Sequence, residues 1–253
     1  MNRLLPCLVA ASLLAGCATP QNSYDPLESV NRPIYTFNRG VDKLVLKPVA
    51  TAWDKTVPQF AQDGVHNFFE NIADLFSIPP ALLQGKGSDA AHSFGRVVVN
   101  TTLGMAGLFD PASSMELKKS DEDFGQALGH WGLGSGPYLM LPLLGPTTGR
   151  DIVDPAVRIV AGPTAVIESD TGKIVYTAVN AVDARDQLLP LDKTLDEQYD
   201  EYSFVRDSYL QRRWFKLYDG NLPHKLKFTS NGDDEDETRP AVNASEPAAR
   251  ELP

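Results

Sequence analysis

The stretch "VHNFFENIADLF", Val65 to Phe76, decides the fold class, because its apolar residues recur at helical spacing. They stand at positions 65, 68, 69, 72, 75 and 76 and cover one face of an α-helix. Pro79 and Pro80 follow and are expected to end this helix. The apolar face has two explanations, burial in an ordinary globular core or contact with lipid, and the pattern admits both.

The same helical period extends outward along most of the chain. "DPLE" at Asp25 to Glu28 places an acid, a proline and a glutamate in the order of a helix start, which predicts Asp25 as the N-cap. Pro33 is expected to open or kink a second segment. Further helices are predicted by apolar stripes at Ile34, Phe37, Val41, Leu44 and Val45, at Val49, Ala52 and Trp53 after Pro48, at Ile174, Ala178, Ala181 and Val182, and at Tyr199, Tyr202, Val205 and Tyr209.

Polar residues mark further helix boundaries. Ser88 is expected to cap a helix that runs to Asn100, and Ser120 with Asp123 three residues later resembles a capping box. The last helix is expected over about 195–218, with Gly220 after its end. Residues 24–220 are therefore predicted to form one all-α domain with a sizeable core.

The first residues resemble a bacterial lipoprotein signal. Arg3 precedes an apolar run from Leu4 to Leu14, and Leu14-Ala15-Gly16-Cys17 has the form of a lipobox. We expect residues 1–16 to be removed, Cys17 to carry diacylglycerol and an N-acyl chain, and residues 17–23 to form a linker. An ordinary secretory signal cleaved nearby is the alternative.

Cysteine usage and the residue after Cys17 bear on the compartment. Cys7 and Cys17 are the two cysteines of the chain, so the mature fold is expected to lack a disulfide and any cofactor other than the lipid on Cys17. Several acyl chains on one residue would make membrane attachment practically permanent. Ala18 stands where an aspartate would favour retention in the inner membrane, which favours the outer membrane of a Gram-negative bacterium.

The other end of the chain, residues 221–253, is predicted to be a flexible acidic tail. From residue 231 onward it carries seven acidic residues against Arg239 and Arg250. It is either a solvated tail or a docking segment for a basic soluble partner. With a formal net charge of −10 for the whole chain, nucleic acid is not an expected partner.

The motifs that could carry enzyme chemistry are incomplete. Gly132, Gly134 and Gly136 form G-x-G-x-G, but Pro137 follows at once, whereas a dinucleotide site needs a strand before and a helix after the glycines. Ser135 lacks the setting of a hydrolase nucleophile. The four histidines have no partner at metal-ligand or triad spacing: His66, His92, His130 and His224. The sequence therefore predicts a protein that is not an enzyme.

Several stretches taken together resemble the MlaA/VacJ family of outer-membrane lipoproteins. The resemblance runs in order from about Tyr24 to Gly220. It is carried by "YDPLESVNRPIYTFN" (24–38), "KPVATAW" and "VPQFAQDGVHNFFENI" (47–72), "LLQGK" (82–86), "FGRVVVNTTLGMAGLFDPA" (94–112), "EDFGQALGHWGLGSGPYLMLPLLGPTTGRD" (122–151) and "YSFVRDSYLQRRW" (202–214).

The resemblance implies a ring-like protein of amphipathic helices in the inner leaflet of the outer membrane, on the periplasmic side, with an amphipathic channel. Such proteins remove mislocalised phospholipid from the outer leaflet. They pass it to a soluble periplasmic lipid carrier, and through it to an inner-membrane transporter driven by ATP, and they associate with trimeric porins.

The resemblance also implies candidate channel or gating residues. They are Asn31, Arg32, Phe37 and Asn38 in the first motif, Gly132, Gly134, Gly136, Pro137 and Tyr138 in the glycine-rich motif, and Arg150 and Asp151 at its end. We expect the glycines to shape the channel wall and "YLMLPLL" to pack against lipid or the outer face of the ring. A buried turn in an ordinary core is the alternative. Pro80 and Gly149 depart from residues common in relatives.

Two other functions remain open at this point. A structural lipoprotein that only associates with porins would carry the same stripes. A lipid hydrolase tethered by Cys17 would require a nucleophile and a base, and the motifs above supply neither.

Overall fold

The computed structural model describes residues 25–221. The predicted signal peptide, Cys17, the whole of the predicted linker (17–23) and the acidic tail from residue 222 lie outside the described residues. The described chain is mostly helical, which confirms the all-α class. Its helices are α1 (Glu28–Val41), α2 (Lys47–Thr56), α3 (Gln59–Leu83), α4 (Gly87–Thr102), α5 (Pro111–Ser114), α6 (Phe124–His130), α7 (Val153–Ala161), α8 (Pro163–Val166), α9 (Asp170–Asp186), α10 (Asp192–Asp196) and α11 (Glu201–Leu217).

Three short elements accompany the helices. A π-helical turn, Asp42–Leu46, joins α1 to α2 without a break in the helical backbone, and a 3-10 turn, Leu189–Leu191, leads into α10. The third is an antiparallel hairpin of β1 (Tyr138–Leu141) and β2 (Gly145–Thr148), in which Tyr138 pairs with Thr148 and Leu141 with Gly145. The sequence did not predict this hairpin.

Prolines interrupt the helices less than expected. Pro33 lies inside α1 and opens no new segment. Pro79 and Pro80 lie inside α3, so the prediction that they end the helix is wrong. Both stand in its last turns, where Gln84 bonds back: its backbone N–H and its side-chain amide each donate to the Pro80 carbonyl oxygen at 3.1 Å. Pro80 is buried, so packing against the rest of the protein stabilises this last helical turn despite the proline.

The predicted caps are misplaced. The N-cap of α1 is Leu27, and Asp25, which precedes the helix, instead accepts a hydrogen bond from Asn31, six residues further along the chain. Ser88 lies inside α4, which begins at Gly87. Asp123 is itself the N-cap of α6, since its Oδ1 accepts from the Gln126 N–H at 2.9 Å, so it does not serve as the third residue of a capping box.

The predicted last helix is divided in two. α10 ends at Asp196, and α11 begins at Glu201 after Asp200. Asp200 accepts hydrogen bonds from both the N–H and the hydroxyl of Ser203, at 3.3 and 2.7 Å. A short polar side chain that satisfies the first free N–H groups starts a new helix, and this explains the break.

The described residues fall into two compact units. The first comprises 25–62, 135–152 and 159–206, in which α2 packs on α9 and the hairpin packs on α1. The second comprises 63–134, 153–158 and 207–221, in which α4 packs on α5.

The interior of both units is polar rather than aliphatic. Among the described residues, and leaving proline and glycine aside, nineteen polar or charged residues are buried against eight hydrophobic ones, of which five are alanine. In the stretch that decided the fold class, Asn71 and Asp74 are buried, Asp74 to 1% exposure, while Leu75 is exposed. The helix there is amphipathic as predicted, but an ordinary apolar core does not explain it.

Candidate functional site

The hairpin is held by an asparagine of α1. The Asn31 side chain donates from Nδ2 to the Tyr138 carbonyl oxygen at 3.0 Å and accepts at Oδ1 from the Met140 N–H at 2.9 Å. These are the donor and the acceptor that a neighbouring strand would bond. Asn31 therefore extends the ladder at the open edge of β1 with a single side chain.

A second asparagine holds the tip of the hairpin. Asn38 Nδ2 donates to the Leu141 carbonyl oxygen at 2.9 Å, and its Oδ1 accepts from the Leu143 N–H at 2.8 Å. Leu143 has φ of +63°, a conformation that costs a non-glycine residue about 1 kcal/mol. Its side chain is 66% exposed, so the strained turn presents an apolar residue to the surroundings.

A buried polar cluster supports the first asparagine. Asp25 accepts from Asn31 Nδ2 at 2.8 Å and, through its other oxygen, from the Tyr202 hydroxyl. Tyr202 stacks edge-on against Tyr138, with ring centroids 6.3 Å apart. Burial, with the Asp25 carboxylate beside it, raises the pKa of Tyr202, so the phenol stays protonated and donates.

The arginine of the first motif joins α1 to the start of α11. Arg32 donates to both carboxylate oxygens of Asp200 at 2.9 and 2.6 Å, and to Glu28 at 2.6 Å. Its guanidinium also lies 4.5 Å from the centre of the Tyr202 ring. The hydrogen bonds from Arg32 hold the pKa of Asp200 well below its usual range, so the pair stays charged at physiological pH.

The glycine-rich motif divides into two parts. Gly132 (φ +89°) and Gly134 border open space, since a Cβ at either would meet no atom within 4 Å. Gly136 (φ +67°) enters the hairpin, where a Cβ would lie 3.5 Å from Gly149 Cα. The two ends of the hairpin are joined by a backbone hydrogen bond, in which the Gly149 N–H donates to the Pro137 carbonyl oxygen at 3.0 Å.

Arg150 and Asp151 lie at the base of the same hairpin, and both are buried. The Arg150 Nε donates to Asp151 Oδ1 at 2.9 Å, and its backbone N–H donates to the Ser135 carbonyl oxygen at 3.0 Å. The Asp151 N–H is 3.2 Å from Thr148 Oγ1. Arg150 and Asp151 therefore fix the path of the chain where it leaves β2.

Apolar side chains of the first unit point outward around this site. Phe37 of the first motif is exposed, as are residues of the π-helical turn, where Leu44 is 81% exposed. The exposed set also includes Val45, Leu143, Leu144, Ile159, Val160, Val166, Ile174 and Val175. Of the stripe predicted at Ile34, Phe37, Val41, Leu44 and Val45, Phe37, Leu44 and Val45 are exposed, whereas Ile34 and Val41 are half-buried.

The structure brings together only some of the predicted residues. Asn31, Asn38 and Tyr138 meet at the hairpin. Arg32 instead lies in the charged cluster with Glu28 and Asp200. Gly132 and Gly134 take no part in these contacts. Sequence reasoning missed Asp25, Tyr202 and Asp200 as partners of the motif. The seven-residue spacing of Asn31 and Asn38, which puts both on one helix face, was the available signal.

The described residues hold no group of three or more histidine, cysteine or acidic side chains placed to bind a metal ion. Between residues 25 and 221, no helix combines the length and the apolar character needed to cross a membrane.

Comparison with known proteins identifies the family. The fold and site define a helical protein that buries polar side chains, exposes apolar ones, and clamps a short hairpin with two asparagines. The sequence profile described as "MlaA lipoprotein" matches residues 23–216. The chain belongs to the MlaA lipoprotein family.

Individual relatives agree with this assignment. The chain is 36% identical over 235 residues to the Intermembrane phospholipid transport system lipoprotein MlaA of Escherichia coli K12, with coverage of 87% of this chain and 90% of the relative. The protein of the same description from Haemophilus influenzae is 32% identical, with coverage of 87% and 92%. A solved structure titled "Structural basis for maintenance of bacterial outer membrane lipid asymmetry" is 37% identical, has a TM-score of 0.66, and covers 76% of this chain and 98% of its own.

Proposed function

We propose that this protein acts in intermembrane phospholipid transport. It takes mislocalised phospholipid from the outer leaflet of the outer membrane, conducts it through an amphipathic channel, and passes it to a soluble periplasmic carrier. This preserves the lipid asymmetry of the outer membrane. The names of its relatives support the transport role. The observation that carries the proposal is the distribution of side chains, polar inside and apolar outside.

That distribution suits a phospholipid conduit. Two acyl chains exposed to water would cost on the order of 20 kcal/mol at ~0.8 kcal/mol for each methylene, so the tails need shelter throughout the transfer. The head group needs polar contacts along the same path. Irregular backbone, such as the glycine-rich segment from Gly132, is tolerated at membrane depth where it is buried in protein or lines a watery cavity. Amphipathic helices arranged as a ring would provide both kinds of surface.

The exposed apolar side chains support a location within lipid. Leu44, Leu143 and Leu144 are outward-facing, and solvent exposure of this many large apolar groups is unfavourable for a protein in water. We propose that they contact acyl chains of the inner leaflet of the outer membrane, with the protein anchored by lipid on Cys17 and open to the periplasm. Its partners are then a porin trimer and the periplasmic carrier, which connects it to an ATP-driven transporter of the inner membrane.

A transfer assay tests the proposal. The lipidated protein is placed in vesicles that carry a labelled phospholipid, and a soluble periplasmic lipid carrier is added as acceptor. We expect labelled lipid to appear on the carrier only when the protein is present. Leu44→Glu tests the lipid contact, because a charge there opposes seating in the bilayer, whereas Thr36→Ala on the exposed surface of α1 is the control.

Two outcomes would contradict it. Co-purification with a porin without any transfer would favour a purely structural lipoprotein. Release of fatty acid or lysolipid from the vesicles would favour a hydrolase.

A further inference from the structure

The second unit contains a cavity that is open to solvent and lined mostly by polar residues, and the proposed channel residues do not line it. Its volume is about 590 Å³, which is within the range of small-molecule sites. The cavity lies against α3 and α4 and the segment after α5. Its walls include His66, Asn67, Glu70, Glu116, Lys118 and Lys119.

A buried arginine builds one wall of this cavity. Arg96 of α4 donates from Nε to Asp74 at 2.8 Å, from Nη2 to Asp110 at 3.0 Å, and from Nη1 to the Leu117 carbonyl oxygen at 3.1 Å. The bond to Leu117 fixes the segment that carries the neighbouring cavity residues. Arg96 is therefore occupied by protein partners and serves as a support, not as a free cation.

Two opposite charges at the cavity are left for a ligand. Lys119 pairs with Glu70 across the cavity wall. By contrast, the side chains of Glu116 and Lys118 make no hydrogen bond or ion pair with any residue in the range 25–221. Glu116 also has φ of +59°, a conformation unfavourable for glutamate. One free carboxylate and one free ammonium thus border the same space.

An apolar surface adjoins the polar cavity. The cavity residue Asn67 donates to the Leu108 carbonyl oxygen at 3.3 Å, which ties the wall to the turn after α4. That turn exposes large apolar side chains at Leu103, Met105, Leu108 and Phe109. A ligand seated among the charges would have an apolar face beside it for a hydrocarbon part.

We propose that this cavity binds the head group of a zwitterionic phospholipid, with the phosphate at Lys118, the ammonium at Glu116, and the acyl chains along the 103–109 turn. The proposal rests on the transport function argued above and names the class of head group. A phosphate diester and a free phosphate ion share the chemistry that Lys118 recognises. Only the lipid also uses Glu116 and the apolar turn.

Binding can be measured separately from transport. The full lipidated protein in nonionic detergent is titrated calorimetrically with dihexanoyl-phosphatidylethanolamine, dihexanoyl-phosphatidylglycerol and inorganic phosphate. Variants are Lys118→Met and Glu116→Gln, both on exposed side chains, and Lys193→Met is the control because that lysine is 86% exposed and does not line the cavity. Circular dichroism confirms that each variant is folded.

The expected pattern distinguishes the two charges. Wild-type protein binds the ethanolamine lipid at least tenfold more tightly than inorganic phosphate. Lys118→Met weakens both lipids about tenfold, since it removes the phosphate contact. Glu116→Gln weakens only the ethanolamine lipid, and Lys193→Met changes nothing.

Three results would overturn the site. They are equal affinity of wild-type protein for lipid and inorganic phosphate, unchanged affinity in both cavity variants, or equal weakening in the Lys193 control. If binding follows the expected pattern but the transfer assay fails, the head-group site stands and the transport function is wrong. The two proposals therefore fail separately.

Discussion

Asn31 and Asn38 lie seven residues apart on one face of α1, and each bonds in both directions to the backbone of the hairpin. Asn31 holds β1 itself, and Asn38 holds the turn at Leu143. Side chains, not a third strand, thus complete the hydrogen bonding of this edge. Because isolated two-stranded hairpins are only marginally stable, the position of this hairpin depends on α1.

Asn38→Ala should loosen the hairpin tip without unfolding the protein. The change removes two hydrogen bonds, each worth about 1 kcal/mol, and leaves the strained Leu143 turn unsupported. We expect faster amide hydrogen exchange at residues 141–145, measured by mass spectrometry. Thr36→Ala is the matched control, since Thr36 bonds only to its own helix at Arg32. Unchanged exchange in Asn38→Ala would show that the turn holds itself.

Asn31→Asp should lower the stability of the whole first unit. The new carboxylate has no N–H to give to Tyr138 and stands beside the buried Asp25, where Asn31 now donates at 2.8 Å. Lost hydrogen bonds and like-charge repulsion together should cost about 3 kcal/mol in the free energy of unfolding. Chemical denaturation measures this. A loss below about 1 kcal/mol would contradict the role assigned to the amide.

The Asp123–Arg213 pair should make the second unit sensitive to acid. Burial is the largest single influence and opposes ionisation of Asp123, but the hydrogen bonds and charge of Arg213, together with the hydrogen bonds from Gln126, outweigh it and lower the pKa of Asp123 to about 2. Because this pKa is below the value near 4 of an unfolded chain, the stabilisation is present above pH 4 and is lost as the pH falls toward 2. It amounts to about 2 kcal/mol at neutral pH.

Arg213→Met tests this acid sensitivity. The difference in unfolding free energy between wild type and variant should be at least about 2 kcal/mol at pH 7 and should shrink as the pH falls below 4. Thermal melting at each pH measures this difference. Lys173→Met, which breaks an ion pair with the exposed Asp170, should change stability by less than about 1 kcal/mol at either pH. A difference independent of pH would mean that Arg213 stabilises by packing alone.

Gly134 and Gly136 should respond differently to substitution. Gly136→Ala places a side chain at φ of +67° and should cost about 1 kcal/mol of stability. Gly134→Val enters open space and should leave the melting temperature unchanged. If Gly134 shapes the channel, that variant should nevertheless raise outer-leaflet phospholipid in cells, measured by lipid labelling. Normal protein level with normal asymmetry would contradict a channel role.

The positions of most helices could be predicted from the sequence. Which side of each helix is buried and which is exposed could not. The period at Val65–Phe76 is the same whether the apolar side meets a core or lipid, so burial of Asp74 could not be read from it. The partner that settles this, Arg96, lies 22 residues away. Local signals also predicted the wrong role for Asp25. Aspartate favours the N-cap position, but this carboxylate accepts tertiary hydrogen bonds from Asn31 and Tyr202 instead.

The candidate site was predictable as motif residues but not as contacts. Asn31, Asn38 and Tyr138 were singled out, yet more than 100 positions separate α1 from the hairpin it clamps. Burial alternates along "YLML" in β1, but all four side chains are apolar, so the sequence itself carries no alternation that predicts a strand. The spacing of Asn31 and Asn38 indicates a shared helix face, but it does not indicate which distant segment that face binds.

The outward-facing leucines at 44, 143 and 144 have a consequence for self-association. In most proteins, folding buries the apolar groups through which chains aggregate. Here the folded chain still exposes these side chains, so folding alone does not prevent aggregation. In water, a folded copy is therefore expected to aggregate through them unless lipid or a binding partner covers them.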